Sequence, residues 1–307
     1  MLWSRLAARE VRLFFEPVEV LAHESHVRTV AFSRGGDLLF TTGMDGLVKV
    51  WSVPDWELVG VFDGHDKSVN GLVAHPDGER AISVSTDGTL RIWSIADRKE
   101  IGAIQAHKKT VAGVAISDDG RTLASLSYDA TARLWDTETL EEKAVLKGHR
   151  RNVVSAVFTP DGEYIATAGV GDTVFVWETR TGKIRTKLTG HRIAVTGLRV
   201  AANGEFMTTA GHEGTLKFWD IRSWSLRQTV QLEAHGKDVA ISPDSRLIAI
   251  AGERRVDLRS AVTGEDLATL ELKPKGLYSI TFGPKGDWLA VAASDKRFRV
   301  WDVDRIL

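Results

Sequence analysis

Short apolar-rich runs alternate with polar turns along the chain, at distances that predict strands rather than helices. A representative stretch has such runs at 69–74, 80–85, 89–93 and 100–104, and a turn at 75–78 separates the first two. Runs of this length that are rich in β-branched residues and bounded by glycine-containing turns are typical of β-strands. Four strands with their connections use up the 42 residues of the stretch and leave no room for a helix. The pattern therefore predicts a four-stranded antiparallel meander.

The same frame recurs through the chain. Five tryptophans are each 42 residues apart, and Trp301 lies 82 residues beyond the fifth, which leaves room for one degenerate copy. The five are Trp51, Trp93, Trp135, Trp177 and Trp219. A turn dipeptide follows the first strand of each copy at 35–36, 77–78, 119–120, 161–162, 203–204, 244–245 and 285–286. This period indicates one unit repeated seven times, each copy burying its apolar faces against its neighbours.

The two ends of the chain are expected to meet. The last copy has no fourth strand of its own, whereas residues 18–21 have the pattern of a fourth strand without a partner. Exposed sheet edges promote aggregation, and radial repetition around a channel shortens them. We therefore expect the N-terminal strand to close the last blade of a ring. The predicted organisation is an apolar and basic extension at 1–16 followed by one domain at 17–307.

Composition narrows the function classes. Of the 307 residues, 43% are hydrophobic and 26% are charged, and the net charge is −1, so no overall field favours nucleic acid or an anionic membrane. Cysteine is absent, which excludes disulfides, thiolate metal sites and cysteine nucleophiles. No apolar run reaches the length of a membrane span, and no signal peptide is recognisable. We expect a cytoplasmic protein that acts through a local surface.

The positions of histidine, aspartate and tryptophan within each copy add a family resemblance. His65 follows Gly64 and precedes Trp93 by 28 residues, Asp87 lies six residues before that tryptophan, and the 28-residue interval occurs in five copies. Trp-Asp dipeptides occur at 135–136, 219–220 and 301–302. This pattern resembles the WD-repeat β-propeller family. The resemblance implies an all-β, seven-bladed β-propeller of four-stranded antiparallel blades that serves as a rigid platform for protein partners.

Three copies carry a histidine, a hydroxyl residue and an aspartate that look like a catalytic base, nucleophile and orienting acid. With the repeat tryptophans these sets are His23, Thr41, Asp45 and Trp51; His65, Ser83, Asp87 and Trp93; and His107, Ser125, Asp129 and Trp135. Repetition of the set argues against catalysis. The resemblance implies instead a hydrogen-bonded chain from indole through hydroxyl and imidazole to carboxylate, which locks each blade. We expect no catalytic residue here.

The polar set decays towards the C-terminus. Gly171 stands in the aspartate position of the fourth copy, and Glu213 stands there in the fifth. Arg259 replaces the tryptophan of the sixth copy, which is also shortened. Lys273 and Val291 replace the histidine and the hydroxyl residue of the seventh. Blades six and seven are therefore expected either to be looser or to replace the polar chain with apolar packing.

Other motifs fall short of a cofactor or metal site. The tetrapeptide at 23–26 is one residue too short for the zinc signature H-E-x-x-H and lies in a loop, so we interpret His23 as structural and His26 as solvent-facing. Gly169 and Gly171 lack the third glycine and the following helix of a dinucleotide loop. We expect neither a metal nor a cofactor.

Cations concentrate in the loops that follow the histidines of copies three to five. In a ring these loops lie together at one end, called here the top face. We define the basic crescent as Lys108, Lys109, Lys147, Arg150, Arg151 and Arg192. Because few acidic residues accompany them, the hypothesis is a surface for an acidic or phosphorylated partner. The alternative is a set of solvated cations without a role.

The resemblance supplies a second map of the top face. It assigns partner contacts to positions shortly after each histidine and just before the turn aspartate. Those positions are held by His26, Arg28, Met44, Asn70, Tyr128, Asn152, His212 and Tyr278. Arginine, tyrosine and methionine often anchor interfaces, so Arg28, Met44, Tyr128 and Tyr278 are the preferred anchors. The alternative is that they only line the mouth of the channel.

The function that the sequence favours is a non-enzymatic scaffold or adaptor that holds protein partners on the top face. Two alternatives stay open. One is a reader of phosphorylated, acidic or nucleic-acid ligands through the basic crescent, although the net charge makes nucleic acid the less favoured ligand. The other is an enzyme or small-ligand propeller with a site at the channel mouth, since fold alone does not determine function.

Overall fold

The computed structural model describes residues 16–233, 235–273 and 276–306. Of the predicted extension 1–16, residues 1–15 therefore lie outside the described residues. The described chain forms seven four-stranded antiparallel sheets. This confirms the predicted all-β fold of seven four-stranded blades. The representative copy matches closely, because its strands are Val69–Ala74, Arg80–Ser85, Thr89–Ser94 and Lys99–Gln105.

The strands are numbered in chain order and the blades in the order of their first strands. Blades one to three comprise β2 (Val27–Phe32), β3 (Leu38–Gly43), β4 (Val48–Ser52) and β5 (Leu58–Phe62); β6 (Val69–Ala74), β7 (Arg80–Ser85), β8 (Thr89–Ser94) and β9 (Lys99–Gln105); and β10 (Val111–Ile116), β11 (Thr122–Ser127), β12 (Thr131–Asp136) and β13 (Glu142–Lys147). Blades four and five comprise β14 (Val153–Phe158), β15 (Tyr164–Gly169), β16 (Val174–Glu178) and β17 (Ile184–Leu188); and β18 (Val195–Val200), β19 (Phe206–Gly211), β20 (Thr215–Asp220) and β21 (Leu226–Gln231).

The remaining blades include the N-terminal strand. Blade six comprises β22 (Asp238–Ile241), β23 (Leu247–Ala251), β24 (Arg255–Ser260) and β25 (Asp266–Glu271). Blade seven comprises β26 (Leu277–Phe282), β27 (Trp288–Ala293), β28 (Arg297–Asp302) and β1 (Val18–Leu21), and a 3₁₀ helix, Val303–Arg305, follows β28. No helix in the described part of the chain has the length and apolar character to cross a bilayer.

Strand β1 is the outer strand of blade seven. It pairs antiparallel with β28, with Val18 opposite Val300 and Leu21 opposite Arg297. The backbone N–H groups of Ala22 and His23 continue the pairing by donating to the carbonyl of Lys296. The two ends of the described chain thus share one sheet, and the ring is closed by hydrogen bonds between strands far apart in sequence.

The apolar core lies between neighbouring blades. Phe40 and Phe62 of blade one pack in the same buried cluster as Trp93 of blade two, and the rings of Phe62 and Trp93 stack with centroids 5.1 Å apart. Alternate positions of each strand face opposite neighbours, so every blade has two apolar faces. The repeat tryptophans are therefore core residues that join blades, and a single blade could not bury them alone.

Blades six and seven replace the polar chain in two ways. Val291, in the position of the hydroxyl residue, and Trp301 are buried in the apolar cluster between these blades. This agrees with the expected apolar packing. The structure also shows ion pairs that the sequence analysis did not anticipate. Arg255 pairs with Asp257 and Glu233 in blade six, and Arg259, although buried, reaches Asp266 and donates to the carbonyl of Gly264.

Candidate partner-binding face

The polar chain of blade two is complete. The indole Nε1 of Trp93 donates to the hydroxyl oxygen of Ser83 over 2.8 Å, and that hydroxyl lies 2.8 Å from Nε2 of His65. Nδ1 of His65 lies 3.0 Å from a carboxylate oxygen of Asp87. All three bonds are satisfied at once when the hydroxyl donates to Nε2 and the imidazole carries its proton on Nδ1.

The same chain forms in blades one, three and five. In blade one Trp51 donates to Thr41, and His23 links Thr41 to Asp45. In blade three Trp135 donates to Ser125, and His107 links Ser125 to Asp129. In blade five Trp219 donates to Thr209, and His191 links Thr209 to Glu213. Glutamate thus performs the role of aspartate in blade five. In blade four Trp177 and His149 meet at Thr167, but among the described residues no carboxylate bonds to His149.

Charge and burial make these sets structural. Burial lowers the pKa of His65 despite its hydrogen bond to Asp87, so the ring is neutral. Burial alone would raise the pKa of Asp87, but hydrogen bonds from Thr89 and His65 hold it below its usual value. Ser83 has no exposed surface, and its proton is used within the chain. A nucleophile must reach a substrate, and this hydroxyl reaches only the blade interior.

Three of the predicted residues, Arg28, Asn70 and Tyr278, occupy β-bulges at the top of the inner strands. In blade one Val27 pairs with Gly43 and Thr29 pairs with Thr42, so Arg28 is the extra residue. The equivalent bulged residues are Asn70, Ala112, Val154, Thr196 and Tyr278. A bulge leaves one residue outside the ladder and re-aims its side chain. With Lys237 of blade six, these six residues form what we call the channel-mouth ring.

Three of the predicted residues make direct contact at this mouth. The guanidinium carbon of Arg28 lies 4.9 Å from the ring centroid of Tyr278. The Tyr278 hydroxyl lies 3.2 Å from Nδ1 of His26, and the two rings are stacked. His26 is therefore half-buried against blade seven, so the interpretation of His26 as solvent-facing was wrong. The contact joins the first and last blades of the ring.

The other predicted residues are more dispersed. Asn70 uses its side-chain amide to bond Thr86 and the carbonyl of Val111, so it contributes to packing between blades two and three. Tyr128 and Met44 are 41% and 47% exposed and present apolar surface to solvent. Asn152 is half-buried. For the half-buried His212, burial and then the positive charges of His235 and Lys237 lower the pKa.

The channel below the mouth has a volume of about 670 Å³ and contains charges that the sequence analysis missed. Arg199 of blade five and Asp238 of blade six form an ion pair along its wall. Arg34 and Asp118 also line it, and burial raises the pKa of Asp118 despite the nearby charge of Arg34. Two carboxylates, Asp238 and Asp118, therefore line the channel.

A shortened loop before β22 explains why Asp238 was missed. It pairs with Ala251, and the equivalent inner-strand residues are small in all other blades. Those residues are Thr29, Gly71, Gly113, Ser155, Gly197 and Ser279. The shortening of the sixth copy was visible in the sequence, but its place in the loop before β22 was not. Aligning from the turn at 244–245 backwards would have placed Asp238 and its neighbour Lys237 at the channel.

The basic crescent is exposed as expected. All six of its side chains are exposed, and none forms an ion pair with a carboxylate of the described chain. Asp172, an acidic residue on the adjacent turn of blade four, bonds only to the hydroxyl of Thr173. Three neighbouring sectors of the top face therefore carry uncompensated positive charge, whereas many cations elsewhere are paired, such as Arg133 with Glu142.

Seven four-stranded blades around an open channel, four of them locked by complete buried polar chains, define a β-propeller. Sequence comparison agrees in detail. The family model described as WD40, "WD domain, G-beta repeat", matches residues 15–52, 56–94, 98–136, 140–178, 182–220 and 264–302. The chain therefore belongs to the WD40 repeat family. The unmatched stretch, 221–263, includes strands β22 to β24 of the sixth blade, which is the shortened copy that has Arg259 in place of tryptophan.

Individual relatives match over short stretches. The chain is similar to eukaryotic translation initiation factor 3 subunit I of Eremothecium gossypii, with 36% identity over 53 residues, which are 17% of this chain and 15% of that protein. It is 42% identical over 64 residues to a DDB1- and CUL4-associated factor 11 homolog of Caenorhabditis elegans, covering 19% of this chain and 11% of that protein. A ribosome biogenesis protein WDR12 homolog of Chlamydomonas reinhardtii is 38% identical over 72 residues, covering 20% of this chain and 16% of that protein.

Proposed function

We propose that this protein is a non-enzymatic scaffold that binds protein partners on its top face and receives an acidic or phosphorylated segment of a partner on the basic crescent. The observation that carries the proposal is the exposure of six cations on three adjacent blades without carboxylate partners. Positive patches of this kind accelerate encounter with negatively charged partners and select against basic ones. Arginine adds bidentate recognition of carboxylate or phosphate oxygens.

The rest of the molecule supports a platform rather than a catalyst. The groups that resemble a nucleophile and base are buried and bonded to one another, as Ser83 and His65 show. Ring closure and the apolar contacts between blades hold the loops of the top face in fixed relative positions. Such preorganisation reduces the entropy lost on binding a partner.

The names of the similar proteins are compatible with this proposal. One is named as a subunit of an initiation factor and another as an associated factor, and both names describe components of larger assemblies. Because the matches span only 11% and 15% of those proteins, the proposal for this chain rests on its own top face. We also propose the cytoplasm as its location, as in the sequence analysis.

Charge reversal on the crescent tests the proposal. The tagged protein is compared with a Lys109→Glu, Arg150→Glu, Arg151→Glu variant in affinity capture from its native cells, and the captured proteins are identified by mass spectrometry. The matched control reverses three exposed cations at the opposite end of blade four: Arg180→Glu, Lys183→Glu and Arg185→Glu. Both variants change the net charge by the same amount.

The proposal expects specific partners with the parent and with the control, and their loss with the crescent variant. Equal capture by all three proteins would show that the crescent has no role. Turnover of a substrate by the purified protein alone would overturn the scaffold itself. Phosphatase treatment of the lysate before capture separates the two partner classes, because only a phosphorylated segment loses its charge.

A further inference from the structure

The channel-mouth ring carries positive charge that is separate from the basic crescent. Two of its seven members are cations, Arg28 of blade one and Lys237 of blade six, and they flank Tyr278 of blade seven. The remaining four members, Asn70, Ala112, Val154 and Thr196, are neutral. The charge is therefore confined to one sector of the mouth, away from blades three to five.

Both cations are oriented towards the same aromatic ring. The guanidinium carbon of Arg28 lies 4.9 Å from the centroid of Tyr278, and Nζ of Lys237 lies 5.9 Å from it. Both side chains are half-buried, and neither forms an ion pair with a carboxylate of the described residues. Like charges held near one ring repel each other, and the effect is stronger where solvent is partly excluded. An anion at this ring would be attracted by both.

The only carboxylate next to Lys237 in sequence, that of Asp238, already has other partners. Asp238 accepts hydrogen bonds from the backbone N–H groups of Val239 and Ile280 and pairs with Arg199 deeper in the channel. It cannot neutralise Lys237 without giving up these bonds.

Building on the proposed function, we propose that the channel mouth binds the carboxylate of an aspartate or glutamate side chain from a partner segment, held between Arg28 and Lys237 over the edge of Tyr278. The Tyr278 hydroxyl, 3.2 Å from Nδ1 of His26, adds a polar group at the same place. The opening of the channel admits a side chain projecting along the axis of the ring.

A singly charged carboxylate fits this mouth better than a phosphate. Asp238 and Asp118 also line this channel, and each lies near an arginine, Arg199 or Arg34. A phosphate group carries nearly two negative charges and three acceptor oxygens at neutral pH, so it requires more donors than a carboxylate. The neutral ring members provide no further donor set for phosphate oxygens, because the amide of Asn70 is already bonded to Thr86 and Val111.

The test uses a fluorescein-labelled hexapeptide of glutamate and a glutamine hexapeptide of the same length, with binding measured by fluorescence anisotropy at about 0.15 M salt. The proteins are the full chain and its Arg28→Met, Lys237→Met and Arg28→Lys variants. An Arg180→Met, Lys183→Met variant removes two exposed cations at the opposite end of blade four and serves as the control. A Lys108→Met, Lys109→Met variant tests whether the peptide binds to the basic crescent instead. Thermal unfolding verifies that each variant folds.

The glutamate peptide is expected to bind and the glutamine peptide not to. Each methionine variant should weaken binding by about tenfold, as the loss of one charge-assisted hydrogen bond predicts, and Arg28→Lys should recover part of the loss. The control variant should bind within about twofold of the parent.

Three results would overturn the proposal. The first is no binding of the glutamate peptide, and the second is binding by the Arg28→Met and Lys237→Met variants with the affinity of the parent. The third is tighter binding of a phosphoserine hexapeptide that also depends on these two cations. If only the crescent variant loses the peptide, the acidic partner binds on blades three to five. The mouth proposal then fails while the proposed scaffold function stands. The scaffold function would instead be contradicted if neither the parent nor either charge-reversal variant captured a specific partner in the affinity-capture experiment.

Discussion

Arg199 of blade five and Asp238 of blade six form an ion pair inside the channel, with Nη2 and Oδ1 3.3 Å apart. Asp238 also accepts a hydrogen bond of 3.1 Å from the backbone N–H of Ile280 in blade seven. One carboxylate thus connects three consecutive blades. Two of them, blades six and seven, lack the polar chain found in blade five, and this contact provides a polar link between blades where that chain is absent.

The pH dependence of this contact can be predicted. Burial raises the pKa of Asp238, against the opposing charge of Arg199. A raised folded-state pKa means that stability from this group is present at low pH and is lost as the pH rises through that value. Arg199→Ala removes the opposing charge and should raise the pKa further. We expect a loss of about 1–3 kcal/mol in the free energy of unfolding at about pH 8 and a smaller loss at about pH 4.

Denaturant unfolding of the parent, Arg199→Ala and Arg199→Ala/Asp238→Asn at both pH values provides the measurement. The double variant removes the charge that the single variant leaves unpaired, so it should recover stability at the higher pH. A loss that is the same at both pH values would show that Asp238 does not titrate differently from an exposed aspartate.

Removal of β1 should destabilise the ring. Glu19 of this strand accepts a hydrogen bond of 2.7 Å from Arg299, whose side chain is only 3% exposed. Deleting residues 1–21 breaks this pair, leaves the edge of β28 open and should lower the free energy of unfolding by at least about 2 kcal/mol. Deleting residues 1–15 retains Val18–Leu21 and is the control. Equal melting temperatures for the two truncated proteins would contradict the role of β1 in closure.

The repeat signals predicted the blades because each copy uses the same local chemistry. Turn dipeptides, strand lengths and the tryptophan interval are short-range features, so they survive in the sequence even where Arg259 replaces tryptophan. The Arg299–Glu19 pair joins residues 280 positions apart, and no periodic pattern encodes it. Lys237 was missed because the shortened loop before β22 displaces it along the sequence relative to the preceding repeat tryptophan.

Some predicted surface residues turned out to have internal partners. Asn70 and His26 were chosen by position, and position alone does not say whether a side chain is already bonded within the ring. Asn70 bonds across to blade three, and His26 packs on Tyr278. Exposure of the crescent was easier to predict, since long cationic side chains in loops rarely become buried without a partner.

The buried hydroxyl of blade two should matter more than an exposed one. Ser83→Ala leaves the indole N–H of Trp93 and Nε2 of His65 without partners in the blade interior. We expect the free energy of unfolding to fall by about 1–3 kcal/mol. Ser94→Ala, which removes an exposed hydroxyl bonded to Asp97, is the control and should cost less than about 0.5 kcal/mol. Similar losses for both variants would show that the polar chain has no special role in stability.

Blade four offers a way to restore a missing contact. His149 bonds to Thr167 but has no carboxylate partner among the described residues, and burial lowers its pKa to about 4. Because this value lies below the ordinary value of 6.5, the unfolded chain takes up the proton first. The contribution of His149 to stability is therefore present above about pH 6.5 and is lost as the pH falls through about 4.

The double variant Gly171→Asp/Asp172→Gly recreates the Asp-Gly turn found at 87–88 in blade two. A Cβ at position 171 meets no atom within 4 Å, so the substitution is sterically permitted. A carboxylate there can accept a hydrogen bond from Nδ1 of His149, which should raise the histidine pKa and add about 0.5–1.5 kcal/mol to the free energy of unfolding at neutral pH. Titration of the His149 ring by NMR, with Asp172→Gly alone as the control, measures the change. If the pKa of His149 stayed near 4 in the double variant, the turn of blade four would be holding the introduced carboxylate away from the histidine. Replacing the residue would then not be enough to restore the hydrogen bond.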